Sequence, residues 1–435
     1  MNIYLNVIEN QQIQAQTCAL FSRSHTPFAT QLKKANDEKS SDFLKKYVAN
    51  YSHNSINDCG NICVAIERVS MIAAKFIEDF PLFNGQESSS RYISFDVGSF
   101  EDNVYCTYNN DDPRKKLQEV AMAFYKKAIP FQKAYIAKQN NLTDQDIQDK
   151  VIAGAIKAKT FDVLRGYLPF GCKTQLAMVT TFRQACERIE MMIRYPLQEV
   201  RDIGNKLAEL CLETYPGAFE GLNKDSHKDS ADQYYTDYFW TLYHTPMVNH
   251  KDHFCIKVDN PHLFCPSMNR PPSKKFPPIF DIQNSNAIIS ASIDCGSWRD
   301  IHRHRNCQQV FPILEAKEFE NFYLDNLAPE LRNEAEMLIK NTNTICKLYE
   351  DDQYLNQYCI PMGFKVLYKA KWTMSQLLYV LELRSKPTVH HTARQFIEKI
   401  HQYINRNFRI IPHMEYSVED MNNPLKINIS RGKQS

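Results

Sequence analysis

Two short polar motifs have the composition of anion-binding sites, and the first is His302–Arg305 (HRHR). It is the densest cluster of cationic side chains in the sequence. Adjacent arginines repel one another, so their clustering favours a bound anion, and guanidinium groups match phosphate oxygens through two parallel hydrogen bonds. A solvated basic patch is the alternative interpretation, because repulsion between exposed charges costs little in water.

The second motif, Glu87–Tyr92 (ESSSRY), combines three serine hydroxyls with one arginine. Hydroxyls can donate hydrogen bonds to an oxyanion, the guanidinium supplies positive charge, and the Tyr92 ring can stack or its hydroxyl can donate. A serine run is also common in loops and at helix caps. Both interpretations stay open on the motif alone.

Three further residues stand at the ends of predicted elements. His53 lies where a helix ends and a turn begins, Arg165 comes three residues before Leu168-Pro169, and Arg194 ends a helix. The two arginines could project from their element ends toward one cleft. Each could equally interact with the negative end of its own helix.

A metal site is the weaker alternative. Five side chains that can bind zinc fall within 16 residues, but structural zinc sites usually pair their ligands two to four residues apart, twice over. These five do not follow that spacing, so we expect no metal. They are His250, His253, Cys255, His262 and Cys265.

The elements that must position these residues are mixed in type. Strand-like runs at Ile62–Ile66 and Ala287–Ala291 are interspersed with helical patterns, without regular alternation of strand and helix. This predicts an α+β fold rather than a doubly wound sheet. The chain has only 12 glycines and no glycine-rich phosphate loop, which argues against a dinucleotide-binding Rossmann domain.

A weak internal repeat predicts two copies of one domain. Leu168–Gly171 (LPFG) and Ile360–Gly363 (IPMG) each precede a helical pattern that ends in an arginine, then a proline and another helix. The two arginines, Arg194 and Arg384, are 190 positions apart. A chance occurrence of two proline-broken helix pairs is the alternative. We place the domains at 1–225 and 226–435, with a proline-rich insertion near 258–278.

Bulk composition excludes some classes of partner. A net charge of +2 over 435 residues argues against a general nucleic-acid or membrane-surface binder. No apolar run reaches the roughly 18 residues of a membrane span, and the N-terminal residues do not resemble a signal peptide. Thirteen cysteines without paired spacing indicate reduced thiols. We therefore expect a cytoplasmic protein that binds neither nucleic acid nor membrane.

Together these motifs resemble the flavin-dependent thymidylate synthases, whose signature is R-H-R, seven residues, then S-x-R and usually Tyr. The signature is divided in this chain. The first half has Ser89, Arg91 and Tyr92, but its R-H-R slot holds 79–81 (DFP). The second half has 303–305 (RHR), but its S-x-R slot falls on Ile313 and Glu315.

The resemblance implies a composite site made from both halves. Each half would be a twisted, mostly antiparallel sheet packed with helices, and two chains would form a homodimer that mimics a tetramer of single domains. FAD would bind to Arg303, His304, Arg305 and Glu87. The nucleotide would bind to Ser89, Arg91, Tyr92, Arg165 and Arg194. Catalysis would involve His53, Ser89, Arg91 and Arg194.

The implied reaction is reductive methylation of dUMP to dTMP, with methylenetetrahydrofolate and NADPH as co-substrates. Two alternatives remain because neither half keeps the whole signature. One is a related flavin-dependent modification of another pyrimidine nucleotide. The other is a non-catalytic paralogue that binds flavin or nucleotide. Complementary loss, with one motif kept in each half, favours the enzyme.

Overall fold

The computed structural model describes residues 9–50, 53–95, 111–223, 228–244, 253–259, 285–386 and 388–408. Its α-helices in chain order are α1 (Gln11–Phe21), α2 (Phe28–Leu32), α3 (Asp37–Leu44), α4 (Met71–Ile77), α5 (Pro113–Gln139), α6 (Asp144–Gln148), α7 (Lys150–Leu164), α8 (Phe182–Met192), α9 (Gln198–Thr214), α10 (Pro216–Phe219), α11 (Lys228–His244), α12 (Cys295–His302), α13 (Asn321–Asp325), α14 (Arg332–Leu348), α15 (Gln353–Asn356), α16 (Met374–Arg384) and α17 (His391–Phe408).

Two sheets accompany these helices, which confirms the predicted α+β class. The strands are β1 (Asn61–Ser70), β2 (Asn84–Glu87), β3 (Lys173–Thr181), β4 (Phe254–Val258), β5 (Asn286–Asp294), β6 (Gln308–Val310) and β7 (Lys365–Thr373). One sheet has the order β1-β3-β2, and the other has the order β4-β5-β7-β6 with every neighbouring pair antiparallel. Among the described residues, no helix is both long enough and apolar enough to cross a bilayer.

The chain forms two compact units that do not follow its simple halves. Unit 1 comprises Met1–Glu67, Leu82–Glu87 and Gln175–His244, and unit 2 comprises Arg68–Pro81, Ser88–Thr174 and Thr245–Ser435. Residues 224–227 and 260–284 lie outside the described part of the chain. The domain division at 225 and 226 and the insertion at 258–278 therefore stay predictions.

Unit 1 contains the three-stranded sheet and the helices around it. The helix predicted to precede His53 is present as α3, and it continues as a π-helical stretch over Lys45–Asn50. The first predicted proline-broken helix pair is present as α8 and α9, separated by Pro196. Its packing is apolar: Phe182, at the start of α8, is fully buried and lies 5.5 Å from the Phe219 ring.

Unit 2 contains the four-stranded sheet and the longest helix, α5. The side chains of Trp298 and Trp372 are fully buried in its core. Helix α12 starts at an Asp294 cap, whose carboxylate accepts a hydrogen bond from the Ser297 amide at 2.9 Å. This cap fixes the start of the helix that carries Asp300 and leads directly into the HRHR motif.

Two backbone segments in unit 2 cross each other with reciprocal hydrogen bonds. From the LPFG side, the Gly171 amide donates to the Tyr358 carbonyl at 2.8 Å and the Phe170 amide to Ile360 at 3.0 Å. From the IPMG side, the Gly363 amide donates to Gly166 at 2.7 Å and the Met362 amide to Leu168 at 2.9 Å. These bonds are related by an offset of 192 residues. Adding 192 to 171 and to 166 gives 363 and 358, so the bond from Gly171 to Tyr358 corresponds to the bond from Gly363 to Gly166.

The same shifts relate other parts of the fold. Strand β6 pairs with β7 in the register that β2 adopts on β3: Gln86↔Ala177 corresponds to Val310↔Lys369, with offsets of 224 and 192. Helices α8 and α16 are likewise 192 positions apart. Arg384 therefore occupies the position of Met192, and the structural offset is 192 rather than the 190 measured between Arg194 and Arg384.

Candidate functional site

Arg91 of the ESSSRY motif is held by a carboxylate. Its Nε donates to Asp162 Oδ1 at 2.6 Å and its Nη2 to Asp162 Oδ2 at 3.0 Å, a bidentate pair, while Nη2 also donates to the Thr388 carbonyl at 3.0 Å. Burial alone would raise the pKa of Asp162, but Arg91 and other nearby groups lower it to about 2. Asp162 is therefore ionised at neutral pH.

Arg165 lies beside this pair and is almost fully buried. Its Nη1 donates to Asp300 Oδ2 at 3.1 Å. Its Nε and Nη2 have no acceptor at hydrogen-bonding geometry in the described part of the chain. Gly296 gives these atoms their space, because a Cβ there would come within 3.1 Å of both nitrogens. Unsatisfied buried donors are costly, so this guanidinium is suited to an added acceptor.

The HRHR motif joins the same network through Asp300. Arg384, at the end of α16, donates from Nη2 to the Asp300 carbonyl at 2.7 Å and from Nε to His304 Nε2 at 2.8 Å. His304 must therefore accept at Nε2 and carry its proton on Nδ1. Burial, Arg384 and Arg305 lower the pKa of His304 to about 3, so the ring is neutral at physiological pH.

Two acidic residues, one just before and one in the 79–81 slot, bind other members of the HRHR motif. Arg305 donates to the Glu78 carbonyl at 2.7 Å and to Glu78 Oε2 at 2.9 Å, and His302 Nε2 lies 2.9 Å from Asp79 Oδ1. Glu78 also pairs with buried Lys75 at 2.6 Å. Burial raises the pKa of Glu78, but Lys75 and Arg305 outweigh it and lower that pKa to about 2.

Positive charge exceeds negative charge around Asp300. Arg91 and Arg165 both act electrostatically on Asp300, and the pKa of Arg384 is lowered by burial and by the nearby cations Arg303 and Arg91. Four guanidinium groups thus lie near three carboxylates, those of Asp300, Asp162 and Asp294, because Asp294 also acts electrostatically on Arg165. Positive charge remains in excess among these groups, which suits an anionic ligand.

A series of buried hydrogen bonds ends at the backbone carbonyl of Asp162. His390 Nε2 donates to the Asp162 carbonyl at 2.8 Å, which leaves Nδ1 to accept from the Thr392 hydroxyl at 2.8 Å. The Thr392 hydroxyl in turn accepts from Ser297 at 2.6 Å. Burial lowers the pKa of His390 well below its usual value, which keeps the ring neutral in this arrangement.

The other predicted residues of the ESSSRY motif differ in burial and in the unit to which they belong. The Ser89 hydroxyl accepts from the Arg91 amide at 3.3 Å, and Tyr92 is 62% exposed with its ring near the Arg91 guanidinium. Glu87 is buried in unit 1 at the end of β2, where it pairs in register with Leu176. The structure thus unites Ser89 and Arg91 in unit 2 but assigns Glu87 to unit 1.

His53 and Arg194 also belong to unit 1. The His53 ring stacks on Tyr47, with ring centres 6.1 Å apart. Arg194 pairs with Glu190, one helical turn earlier, and with Asp232 at 2.6 Å. The predicted roles of these two residues next to a ligand stay predictions.

Several members of the network were missed from the sequence. Asp162 is 71 positions from Arg91, and Glu78 is 227 positions from Arg305, so no local spacing connects them. The sequence did contain one signal: Glu78, just before the 79–81 slot, and Asp79, in that slot, carry charge opposite to that of HRHR. Among the described residues there is no group of three or more ligands suited to a metal. Three of the five zinc candidates, His250, His262 and Cys265, lie outside the described residues.

The chain is similar to one protein-family model and to two bacterial proteins. Residues 5–217 match the family model described as thymidylate synthase complementing protein. A UPF0159 protein of Chlamydia muridarum (strain MoPn / Nigg) is 22% identical over 412 residues, and one of Chlamydia pneumoniae is 23% identical over 409. Each alignment covers 82% of this chain and 77% of the relative.

Proposed function

We propose, from the match of residues 5–217 to the family model described as thymidylate synthase complementing protein, that the chain is a flavin-dependent thymidylate synthase-like enzyme. Its reaction would be reductive methylation of dUMP to dTMP. Methylenetetrahydrofolate would supply the carbon and NADPH the reducing hydride. Modification of another pyrimidine nucleotide by the same chemistry is the near alternative, and the substrate test below separates the two.

One observation carries the proposal: the two divided motifs enter one network. Arg91 from ESSSRY and His304 from HRHR are connected through Arg165, Asp300 and Arg384, in a cluster with an excess of positive charge. Independent surface patches would not need to share buried partners. The shared network therefore supports a single composite site.

The cluster suits the phosphate of a nucleotide. A phosphate monoester carries close to two negative charges at neutral pH and offers several acceptor oxygens. The Nε and Nη2 atoms of Arg165 are buried donors without an acceptor in the described chain. We assign Arg165 and Arg91 as the main phosphate ligands, assisted by Ser89 and Tyr92. Fixed cations around the base would stabilise negative charge that develops on its ring oxygens.

The flavin would be held at the HRHR side of the cluster. Arg303 and His304 are the proposed contacts, with Arg384 adding charge beside them, and FAD would supply the redox chemistry when bound. Arg305 would mainly position the neighbouring Arg303, because its guanidinium pairs with Glu78 and its Nη1 donates to the Arg303 carbonyl at 3.2 Å. Roles for Glu87, His53 and Arg194 at this site are part of the proposal.

We also infer that the chain contains two diverged copies of one domain. The support is the reciprocal crossing of LPFG and IPMG, together with strand registers that repeat at offsets of 224 and 192. Under the alternative of a chance resemblance, both the hydrogen bonds and the strand registers would have to repeat by coincidence. By analogy with the family's tetramer of single domains, two such chains would form a homodimer.

A non-catalytic nucleotide-binding protein is the second candidate. It is favoured by the internal pairing of Arg91 with Asp162 and of Arg305 with Glu78, since both carboxylates occupy donors that a ligand would use. In that case the site would bind phosphate weakly and would not need flavin.

Flavin uptake and tritium release distinguish these candidates. Purified protein is mixed with FAD, its visible absorbance is measured after desalting, and release of tritium from 5-labelled dUMP is followed with methylenetetrahydrofolate and NADPH. We expect bound flavin and tritium release, with loss of flavin in Arg303→Ala and loss of release in Arg91→Ala. Arg183→Ala, at an exposed ion pair of unit 1, is the control. Protein that takes up no flavin refutes the enzyme proposal.

A further inference from the structure

Two cysteines outside the candidate site lie in contact with each other. Cys346 Sγ is 3.8 Å from Cys359 Sγ in unit 2. Cys346 is near the end of α14, and Cys359 closes the 3₁₀ turn Gln357–Cys359. From this geometry we propose that Cys346 and Cys359 form a reversible disulfide, with Cys346 as the thiol that reacts first.

Accessibility separates the two thiols. Cys346 is partly exposed and lines a surface cavity of about 420 Å³ together with Asn343, Lys347 and Asn356. Cys359 is fully buried. A soluble disulfide such as oxidised glutathione can therefore reach Cys346 but not Cys359. Cys359 can therefore react only with a group inside the protein, and Cys346 Sγ is the neighbouring sulfur atom that it can attack.

The surrounding backbone keeps both sulfur atoms in place. Asn356 donates from Nδ2 to the carbonyls of Cys346 and Tyr349, at 3.2 and 2.7 Å, and its own carbonyl accepts from Cys359 Sγ at 3.2 Å. A disulfide requires the sulfur atoms to approach to about 2.05 Å. Glu350, Asp351 and Gln353, in the segment between the two cysteines, are exposed, and this segment can adjust to allow that movement.

The oxidation balances as two thiol–disulfide exchanges. The Cys346 thiolate attacks one sulfur of oxidised glutathione, whose S–S bond breaks, and one glutathione leaves and takes up a proton. The Cys359 thiolate then attacks Cys346 Sγ and releases the second glutathione. Two protein thiols are oxidised and one glutathione disulfide is reduced. In the reduced protein, the hydrogen bond with Cys346 and burial both raise the pKa of the Cys359 thiol, so Cys359 is mostly protonated.

The cross-link would tie α14 to the crossing segments of unit 2. Tyr358, beside Cys359, supplies the carbonyl that accepts from Gly171, and Ile360 accepts from Phe170. Closing this loop reduces the freedom of the unfolded chain. The thermal midpoint should rise by about 5 °C on oxidation and return to its first value with dithiothreitol. This inference does not depend on the proposed function.

The test is a titration of the full-length protein with oxidised glutathione, followed by alkylation of remaining thiols and mapping of unreduced peptides. We expect a cross-linked peptide pair containing Cys346 and Cys359, preceded by a glutathione adduct on Cys346. In Cys359→Ser the adduct should persist, and in Cys346→Ser neither cross-link nor adduct should form in this region. Cys63→Ser, at an exposed thiol of β1, should behave as wild type.

Wild-type protein alone can overturn the proposal, should a serine variant fail to fold. Cys359 that stays fully alkylatable after oxidation, together with an unchanged thermal midpoint, would exclude the disulfide. A stable glutathione adduct on wild-type Cys346 without cross-linking would do the same.

Discussion

Asp162 provides the negative charge that holds the Arg91 guanidinium. Replacing it with asparagine keeps the shape but removes the charge. We expect Asp162→Asn to lower the free energy of unfolding by about 3 kcal/mol, because a largely buried guanidinium loses its partner. The released donors should strengthen binding of inorganic phosphate by about tenfold.

Calorimetric titration with phosphate and urea denaturation measure these two effects. Asp144→Asn, on the exposed helix α6, is the matched control and should change neither. An unchanged phosphate affinity in Asp162→Asn would show that Arg91 does not face the anion site.

His304 should make the protein sensitive to mild acid. Its folded pKa is about 3, whereas an unfolded histidine binds a proton near pH 6.5. The unfolded state therefore gains protons first as pH falls through this window, and stability present above pH 6.5 is progressively lost. The loss should reach about 2–3 kcal/mol by pH 4.

Urea denaturation at several pH values tests this effect. His304→Gln keeps an acceptor for Arg384 but cannot be protonated, so its stability should fall less between pH 6.5 and pH 4. His25→Gln, at an exposed position, should retain the wild-type slope. Equal slopes in wild type and His304→Gln would show that His304 is not held neutral.

At the level of elements, the crossing of LPFG and IPMG depends on glycine. A Cβ at Gly171 would lie 2.1 Å from Gln118 Nε2 and 2.6 Å from the Tyr358 carbonyl oxygen, which is backbone and cannot move alone. Gly171→Ala should therefore cost about 1–3 kcal/mol of stability.

Gly154 offers the opposite case within the same unit. It lies inside α7, and a Cβ there would meet no atom within 4 Å. Gly154→Ala should stabilise the protein by roughly 0.5–1 kcal/mol, since alanine loses less backbone entropy in a helix. Denaturant unfolding of both variants checks the pair, and equal stability of Gly171→Ala and wild type would show that the crossing is loosely packed.

Elements with strong local signals could be predicted from the sequence. The second predicted helix pair is present, with α16 ending at Arg384 and α17 beginning at His391, and strand-like Ala287–Ala291 lies within β5. The division of the chain could not be foreseen, because short segments such as 68–81 and 82–87 belong to different units. The assignment of these segments to a unit depends on packing between distant parts of the chain, which the local periodicity of the sequence does not predict.

The candidate site shows the same limit. Its cations were visible because arginine and histidine cluster in two motifs, but the carboxylates that hold them are single residues inside ordinary helices or turns. Asp162 lies in α7, and nothing in the surrounding residues 150–164 distinguishes it from a solvated acid. Long-range ion pairs become evident only when the fold brings the two charges together.

At the scale of the whole molecule, the divided signature has an explanation in charge. Glu78, just before the 79–81 slot, binds Arg305, and Asp79, in that slot, binds His302. The stretch that lacks R-H-R in the first half thus supplies carboxylate partners to the HRHR motif of the second half. This arrangement makes each half dependent on the other and supports one composite site in each chain rather than two weakened sites.

That dependence predicts how variants combine. Arg91 and the Arg384–His304 pair belong to the same unit of the same chain, so a chain with Arg91→Ala should not be rescued by a partner chain with Arg303→Ala. Co-expressed, differently tagged chains can be purified as mixed dimers and assayed for tritium release from dUMP. A wild-type chain paired with the Arg91→Ala, Arg303→Ala double variant is the positive control and should keep about half of the activity, because one intact site remains. Mixed single variants should stay inactive. Recovery to the level of the positive control would mean that the site is assembled between chains, and the assignment of both motifs to one chain's site would be wrong.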